Sequence, residues 1–258
     1  MQPGIDLILT TPPDLLKQAR EHRITLAHMA YRLGPGPHLY RAGQQVPLRG
    51  GLMVLDDQSF DGRGDPTPFC REVLQECAAR QFTGVICDFE GRNLPALGQV
   101  VRRLADLCER RGLACYVPEA LGNQTKTARV MISTALSGGS LRQRLEEAAG
   151  RFGTQRVVPA VERVAMDFYL PSPTGHGVEL SRDGLRQRMA ERAPSVFFSG
   201  DLCAHYFTYM SRRDGAHFIL FDDAGSIRKK LELARQMGFP AALLAYPQVD
   251  DLLAAILR

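Results

Sequence analysis

The chain has 258 residues, of which 45% are hydrophobic and 23% charged, and its formal net charge is +4. These values are typical of a globular protein, and the length suffices for two small domains or one (β/α)₈ barrel. The basic residues are scattered, with no basic run interleaved with aromatics, which argues against a nucleic-acid partner. No apolar run approaches the ~18 residues of a membrane span, which argues against a membrane partner.

The N-terminal residues and the spacing of the cysteines and histidines predict a cytoplasmic protein without a cofactor. The residues Met1–Asp6 lack the basic and apolar parts of a signal peptide, and the six cysteines show no CxxC spacing. The six histidines form neither HxH nor HExxH, so we expect no metal site. The segment Gly138-Gly139-Ser140 could hold a phosphate at a helix start, although a tight turn is the favoured interpretation.

The first third of the chain contains three apolar runs that predict strands, with one helix among them. The third run ends in two acids, Asp56 and Asp57, for which helix capping is the favoured role, although Asp57 could reach a cleft at the strand end. The predicted strands are Ile5–Leu9, Ile24–Tyr31 and Gly51–Leu55, and the helix is Pro13–His22.

From Pro66 onward, helical and strand patterns alternate. Three segments repeat the order of helix, polar last turn, short break and apolar strand, and this alternation is typical of a parallel sheet. The segments are Glu76–Asp88, Cys108–Val117 and Leu233–Tyr246. Further strands are predicted at Val130–Ala135, at Arg156–Val161 or Val164–Tyr169, and at His217–Phe221.

The resulting count of about eight strands predicts a single-domain (β/α)₈ barrel over residues 1–258, with a doubly wound open sheet as the alternative. Residues 171–216 fit the alternation least well. We therefore expect an irregular or inserted segment at about 171–216. The oligomeric state is left open.

The strand Phe82–Asp88 ends in a pair of acids. Its apolar run Val85–Cys87 is followed by Asp88 and Glu90, which as residues i and i+2 of a strand point to the same face. Such a pair is often a solvated strand edge, but the carboxyl end of a barrel strand is also where catalytic groups collect. Two neighbouring acids there can differ in pKa and divide proton donation from charge stabilisation.

Two stretches of the chain resemble glycoside hydrolase family 18, the chitinase-like barrels, and most of all its spore-germination and cortex-lytic branch. The fourth-strand signature of that family is Asp-Gly-x-Asp-x-Asp-x-Glu, which aligns with Thr83 through Glu90. The second stretch runs from Phe221 through Lys230 and Gly238 to Ala241–Ala245. It resembles the seventh strand, the following helix and the eighth strand of the family.

The resemblance implies a glycosidase for a glycan that contains N-acetylglucosamine, such as peptidoglycan. It implies that Glu90 is the general acid that protonates the glycosidic oxygen. Asp88 would orient the N-acetyl group, whose carbonyl oxygen attacks the anomeric carbon in place of an enzyme nucleophile. This chemistry needs an acid that is still protonated near neutral pH beside a carboxylate that stabilises positive charge.

The chain departs from the family pattern at several positions. Thr83 and Ile86 replace two acids of the signature, and the loss at Ile86 removes the like-charge neighbour of Asp88. The family's sixth strand carries Met-x-Tyr-Asp, which we match to Met166–Tyr169, and the Trp of its eighth strand falls at Ala245.

We predict a substrate cleft lined by six residues around this pair of acids. They are Asp57, Tyr116, Glu119, Met166, Tyr169 and Tyr246. The Tyr of the family's sixth strand and the Trp of its eighth strand are absent from the matching positions of this chain. Their absence also favours an alternative, in which the barrel binds a glycan or a protein partner without turnover.

Overall fold

The computed structural model describes residues 4–41, 49–90, 94–171, 175–213 and 215–258. Its strands in chain order are β1 (Asp6–Thr11), β2 (Thr25–Leu33), β3 (Leu39–Arg41), β4 (Leu52–Asp56), β5 (Gly84–Asp88), β6 (Ala114–Pro118), β7 (Arg129–Ser133), β8 (Val157–Val161), β9 (Ala165–Leu170), β10 (Val178–Glu179), β11 (Phe197–Ser199), β12 (Ala204–Ser211), β13 (Gly215–Phe221) and β14 (Ala241–Ala245).

The helices lie mainly between the parallel strands. They are α1 (Leu16–Ala19), α2 (Thr67–Arg80), α3 (Leu94–Arg110), α4 (Leu141–Phe152), α5 (Arg182–Arg192), α6 (Ala224–Gln236), α7 (Tyr246–Val249) and α8 (Leu253–Ile256), with 3₁₀ turns at Pro13–Leu15, Arg20–His22, Glu119–Gln124 and Thr154–Arg156. Within the described ranges, none of the helices has the length and apolar character to span a membrane.

Eight parallel strands close into a barrel. The order around it is β1, β2, β4, β5, β6, β7, β8 and β14, and β14 pairs with β1 to complete the ring. The short strand β3 extends one side by an antiparallel pairing with β2. This closed ring confirms the predicted (β/α)₈ fold.

Alternate residues of each barrel strand enter two different apolar layers. Ile86 on β5 and Val54 on β4 belong to the barrel interior, whereas Val85 and Cys87 face the surrounding helices. The period of two along a strand produces this division. The interior layer consists of Ile8, Ala27, Leu52, Val54, Ile86, Tyr116, Val158, Ala241 and Leu243.

A second sheet is inserted between the seventh barrel strand, β8, and helix α6. It has the order β10, β9, β13, β12, β11, and all its pairings are antiparallel. The prediction that His217–Phe221 is a barrel strand was wrong, because this segment lies in β13. Of the two alternatives for one barrel strand, Arg156–Val161 corresponds to β8, and Val164–Tyr169 lies in the inserted sheet. The sheet spans Ala165–Phe221, which is wider than the expected segment 171–216.

A buried ion pair fastens the inserted sheet to the barrel. The Nζ of Lys230 on α6 lies 2.6 Å from Oδ2 of Asp222, and these side chains are 1% and 0% exposed. Asp222 also accepts hydrogen bonds from the backbone N–H of Val164 and the hydroxyl of Ser226. The next residue, Asp223, caps α6 by accepting the N–H of Ser226. Both ends of the insertion are thus held at one buried carboxylate.

Candidate active site at the barrel mouth

The strand β5 directs an acid into the mouth of the barrel. It starts at Gly84, where a Cβ atom would lie 2.6 Å from the carbonyl oxygen of Ala114, so only glycine permits this approach of β6. Ile86 follows in the barrel interior. Asp88 lies two residues further on the same face, at the carboxyl end of the strand.

Asp88 lines a cavity of about 230 Å³ above the barrel interior. The walls come from the ends of several strands, so the cavity is the mouth of the barrel itself. Its lining includes Thr10, Met29, Val54, Ile86, Met131, Glu162 and Ala245. Asp88 is therefore exposed to solvent within this mouth.

The pKa of Asp88 is raised from its ordinary value. The main cause is its partial removal from water by the walls of the mouth, and the negative charges of Asp56, Glu90, Asp57 and Glu162 add to it. Each of these effects disfavours the ionised form. Asp88 therefore holds a proton to higher pH than an isolated aspartate does.

Glu90 extends from the same strand end and is held through its backbone. Its N–H donates a hydrogen bond of 3.0 Å to Oδ1 of Asp57, which follows β4. Asp57 is only 7% exposed, whereas the side chain of Glu90 is exposed. Asp57 thus binds the main chain at Glu90, and its predicted contact with substrate stays a prediction.

A larger cleft continues from the mouth toward the inserted sheet. Its volume is about 490 Å³, and Glu162, directly after β8, lines both this cleft and the mouth. Met166 and Phe168 of β9 line the far wall with Leu220 of β13. Met166, which is predicted to contact substrate, lies on this wall, and the contact itself stays a prediction. The mouth, which contains Asp88, and the cleft thus adjoin at Glu162.

A row of four aromatic rings crosses the sheet face that carries this wall. The strand register puts Phe197, Tyr206, Phe218 and Phe168 on the same face of β11, β12, β13 and β9. Successive ring centroids lie 5.6, 5.3 and 6.1 Å apart. Phe197 is 54% exposed at the outer end, and the buried Phe168 lines the cleft. We call these four residues the aromatic row.

Two of the tyrosines predicted to line the cleft are buried elsewhere. Tyr116 is 2% exposed inside the barrel, where its hydroxyl accepts a hydrogen bond of 2.7 Å from Arg129. Tyr246 is 4% exposed and packs outside the barrel, with its ring 5.9 Å from that of His22. Neither ring offers a face to the cleft, so the prediction that they line it was wrong.

Tyr169 and Glu119 also face away from the cleft. Tyr169 is exposed, but it shares the sheet face of His217, opposite to Phe168. Glu119 accepts hydrogen bonds from both terminal nitrogens of Arg144, and its carboxylate lies 3.8 Å from Arg151. These contacts hold the turn at Glu119 against α4. The predicted contacts of Tyr169 and Glu119 with substrate are therefore not supported by their positions.

The fold is similar to solved structures of known glycosidases. A chitinase from Chromobacterium violaceum matches with a TM-score of 0.70 and 14% identity, over 99% of this chain and 98% of that chain. The spore cortex-lytic enzyme SleL of Bacillus megaterium has a TM-score of 0.67 and 14% identity, over 95% and 71% of the two chains. A GH18 chitinase from Cycas revoluta in complex with (GlcNAc)₃ has a TM-score of 0.61 and 10% identity, over 97% and 98%. No family sequence model matches the chain, and no curated protein matches it in sequence.

The chain has the fold of the family 18 chitinases. Within this chitinase fold, the sixth barrel strand is β7, so the match of Met166–Tyr169 to that strand was wrong. Strand β7 ends with Met131, Ile132 and Ser133, followed by Thr134. A methionine is thus present, but the tyrosine and the aspartate of the Met-x-Tyr-Asp pattern are not. The Phe221 stretch also ends an inserted strand, because the seventh barrel strand is β8.

Sequence reasoning missed Glu162 and the aromatic row. Glu162 directly follows the apolar run Val157–Val161, so the rule that identified Asp88 could also have found it. The aromatic row has no comparable signal, because its rings come from four strands whose pairing is long-range. Only alternating aromatics such as Phe168 and Tyr206 within apolar runs hint at it.

Proposed function

We propose that this chain is a retaining glycoside hydrolase for glycans that contain N-acetylglucosamine, such as peptidoglycan. The observation that supports the proposal is the position of Asp88 in the mouth of a chitinase-fold barrel, next to an open cleft, with Glu90 two residues further along the chain. The neighbours of the same fold are named as chitinases and cortex-lytic enzymes.

In the proposed reaction, Glu90 donates its proton to the glycosidic oxygen as the bond from that oxygen to the anomeric carbon breaks. The carbonyl oxygen of the substrate's own N-acetyl group forms the new bond to the anomeric carbon. Asp88 orients that group and stabilises the positive charge that develops on it. Water then attacks the anomeric carbon as the bond from that carbon to the acetamido oxygen breaks, and Glu90 takes a proton from the water, which restores the acid and retains the configuration.

The aromatic row supports a carbohydrate ligand. Flat ring faces are suitable surfaces for sugar rings, and this chain has no Trp. Phe168 and Phe218 lie beside the cleft wall, and Tyr206 and Phe197 continue the row outward. We propose that the glycan extends from the mouth across this face, so that the aromatic row supplies the ring contacts predicted for Tyr116, Tyr169 and Tyr246.

One observation favours a second function, in which the barrel binds a glycan without turnover. Ile86 stands where the family signature has an acid, and Ser133 and Thr134 stand where its sixth strand has Tyr and Asp. A barrel that has lost these groups while keeping its cleft would still bind.

Hydrolysis assays separate the two functions. Wild type and Glu90→Gln are compared on chromogenic N-acetylglucosamine oligomers and peptidoglycan fragments, with Glu109→Gln on the exposed face of α3 as the matched control. We expect turnover by wild type and the control, and a loss of about 10²–10⁴-fold in Glu90→Gln. Equal glycan binding by all three proteins, without turnover of any substrate, would instead establish the binding function.

A further inference from the structure

Three charged side chains lie at one level of the barrel mouth, on adjacent strands. The parallel register pairs Arg32 of β2 with Asp56 of β4, and Asp56 with Asp88 of β5. Residues paired in register project to the same side of a sheet. Since Val54 and Ile86 lie in the barrel interior, alternation turns Asp56 and Asp88 toward the mouth.

An irregularity in β2 brings Arg32 into this layer. The register shifts between Met29 and Tyr31, where β2 contains one extra residue. Such a bulge changes the face to which the following side chains point. Met29 lines the mouth, Tyr31 packs in the outer apolar layer, and Arg32 then reaches Asp56, with Nε 3.8 Å from Oδ2.

Two groups hold the side chain of Asp56 in place. Arg32 supplies a positive charge, and the N–H of Gln58 donates a hydrogen bond of 3.2 Å to Oδ1. Hydrogen bonds and opposite charges both stabilise a carboxylate. Asp56 thus lies in register beside Asp88, and among the neighbouring carboxylates it has the strongest effect on Asp88.

We propose that Asp56, on the neighbouring strand β4, is the like-charge partner of Asp88. It takes the place of the signature acid that is replaced by Ile86 in this chain. Arg32 positions Asp56 through their ion pair. The proposal rests on the proposed function, in which Asp88 stabilises positive charge on the substrate. Asp56 is thus a positioning residue, since it acts through Asp88.

Repulsion between the two carboxylates has a consequence for catalysis. An ionised Asp88 beside Asp56 is less stable than an isolated carboxylate. Positive charge that develops on the N-acetyl group relieves this repulsion, so the interaction is stronger in the transition state than in the ground state. The other charged groups that face Asp88 are Glu90, Asp57 and Glu162, and each adds to the same effect.

The test is a carbon-13 NMR titration of the Asp88 carboxyl group in the full chain. It compares wild type with Asp56→Asn, which keeps an acceptor for Gln58, and with Asp56→Glu, which keeps the charge. The exposed Asp61→Asn, in the loop after β4, is the control. We expect Asp56→Asn to lower the pKa of Asp88 by about 1 unit, and the other two variants to leave it near the wild-type value. An unchanged pKa in folded Asp56→Asn would overturn the proposal.

The pH profile of kcat/KM separates this proposal from the proposed function. If Asp88 must be ionised for catalysis, the acidic limb of the kcat/KM profile shifts to lower pH in Asp56→Asn and not in Asp56→Glu. Turnover with an acidic limb identical in wild type and Asp56→Asn would support the hydrolase and refute the role of Asp56. A lowered Asp88 pKa without turnover in wild type would support the pairing and refute the hydrolase.

Discussion

The acid pair at Asp88 and Glu90 depends on one neighbouring carboxylate for its geometry. Asp57 is buried and accepts the backbone N–H of Glu90, so it fixes the chain where the proposed general acid emerges. Its negative charge also adds to the field at Asp88. Positioning of Glu90 and tuning of Asp88 are therefore linked through the residues that follow β4.

We predict that Asp57→Ala lowers kcat/KM for N-acetylglucosamine oligomers by about tenfold or more. A hydrogen bond to a charged group contributes about 1.5–3 kcal/mol, and 1.36 kcal/mol corresponds to a factor of ten in rate. Asp57→Asn keeps a carbonyl oxygen for the N–H of Glu90 and should lose less activity. Steady-state kinetics with thermal melts as the folding control measure this, and full activity in Asp57→Ala would refute the role.

At the residue scale, the sequence is sufficient to predict where some side chains lie and not where others lie. Asp88 could be placed because alternation from the buried Ile86 fixes its direction. Tyr116 also obeys alternation, but its ring is enclosed in the barrel by contact with Arg129. Tyr246 begins a short helix directly after β14, and this turn takes its ring outside the barrel. Such contacts involve strands distant in sequence and have no local signal.

The elements of the inserted sheet were harder to predict than those of the barrel. Strands β9 and β13 have apolar residues on both faces, because helix α5 covers one face and the aromatic row lies on the other. A strand apolar on both faces has the pattern of a buried parallel strand. For this reason His217–Phe221 was interpreted as a barrel strand, whereas β5 and β14 were predicted correctly.

The edge strand β11 offers a matched test of the aromatic row. Phe197 and Phe198 are neighbours whose side chains lie on opposite faces, and only Phe197 joins the row. We predict that Phe197→Ala weakens binding of long N-acetylglucosamine oligomers about tenfold, which corresponds to 1.4 kcal/mol. Phe198→Ala should bind as wild type does. Calorimetric titration measures both affinities, and equal affinities of the two variants would contradict a role of the aromatic row in binding.

The buried ion pair of α6 predicts a large change in stability. Lys230→Met leaves the carboxylate of Asp222 without its cation at 0% side-chain exposure, and such a loss costs about 3–5 kcal/mol. The exposed neighbour Lys229→Met is the control, and the double variant Asp222→Asn/Lys230→Met should recover part of the loss. Urea unfolding measures the three variants. A Lys230→Met protein as stable as Lys229→Met would show that the pair does not hold the insertion.

At the scale of the whole molecule, the fold persists although sequence identity to its structural neighbours is 10–15%. The barrel interior needs apolar side chains of suitable volume at alternate positions, and many sequences satisfy this requirement. The mouth is more specific, because it combines ends of distant strands with an inserted sheet. We therefore expect the cleft and the acids to determine the activity of this chain, with the barrel as their support.

The most direct test of the hydrolase proposal is the stereochemistry of its first product. Wild-type protein is mixed with an N-acetylglucosamine oligomer, and proton NMR follows the anomeric hydrogens before mutarotation. Participation of the N-acetyl group at Asp88 predicts a product that retains the configuration of the cleaved bond. An inverted product, or no release of product, would contradict substrate-assisted hydrolysis at this barrel mouth.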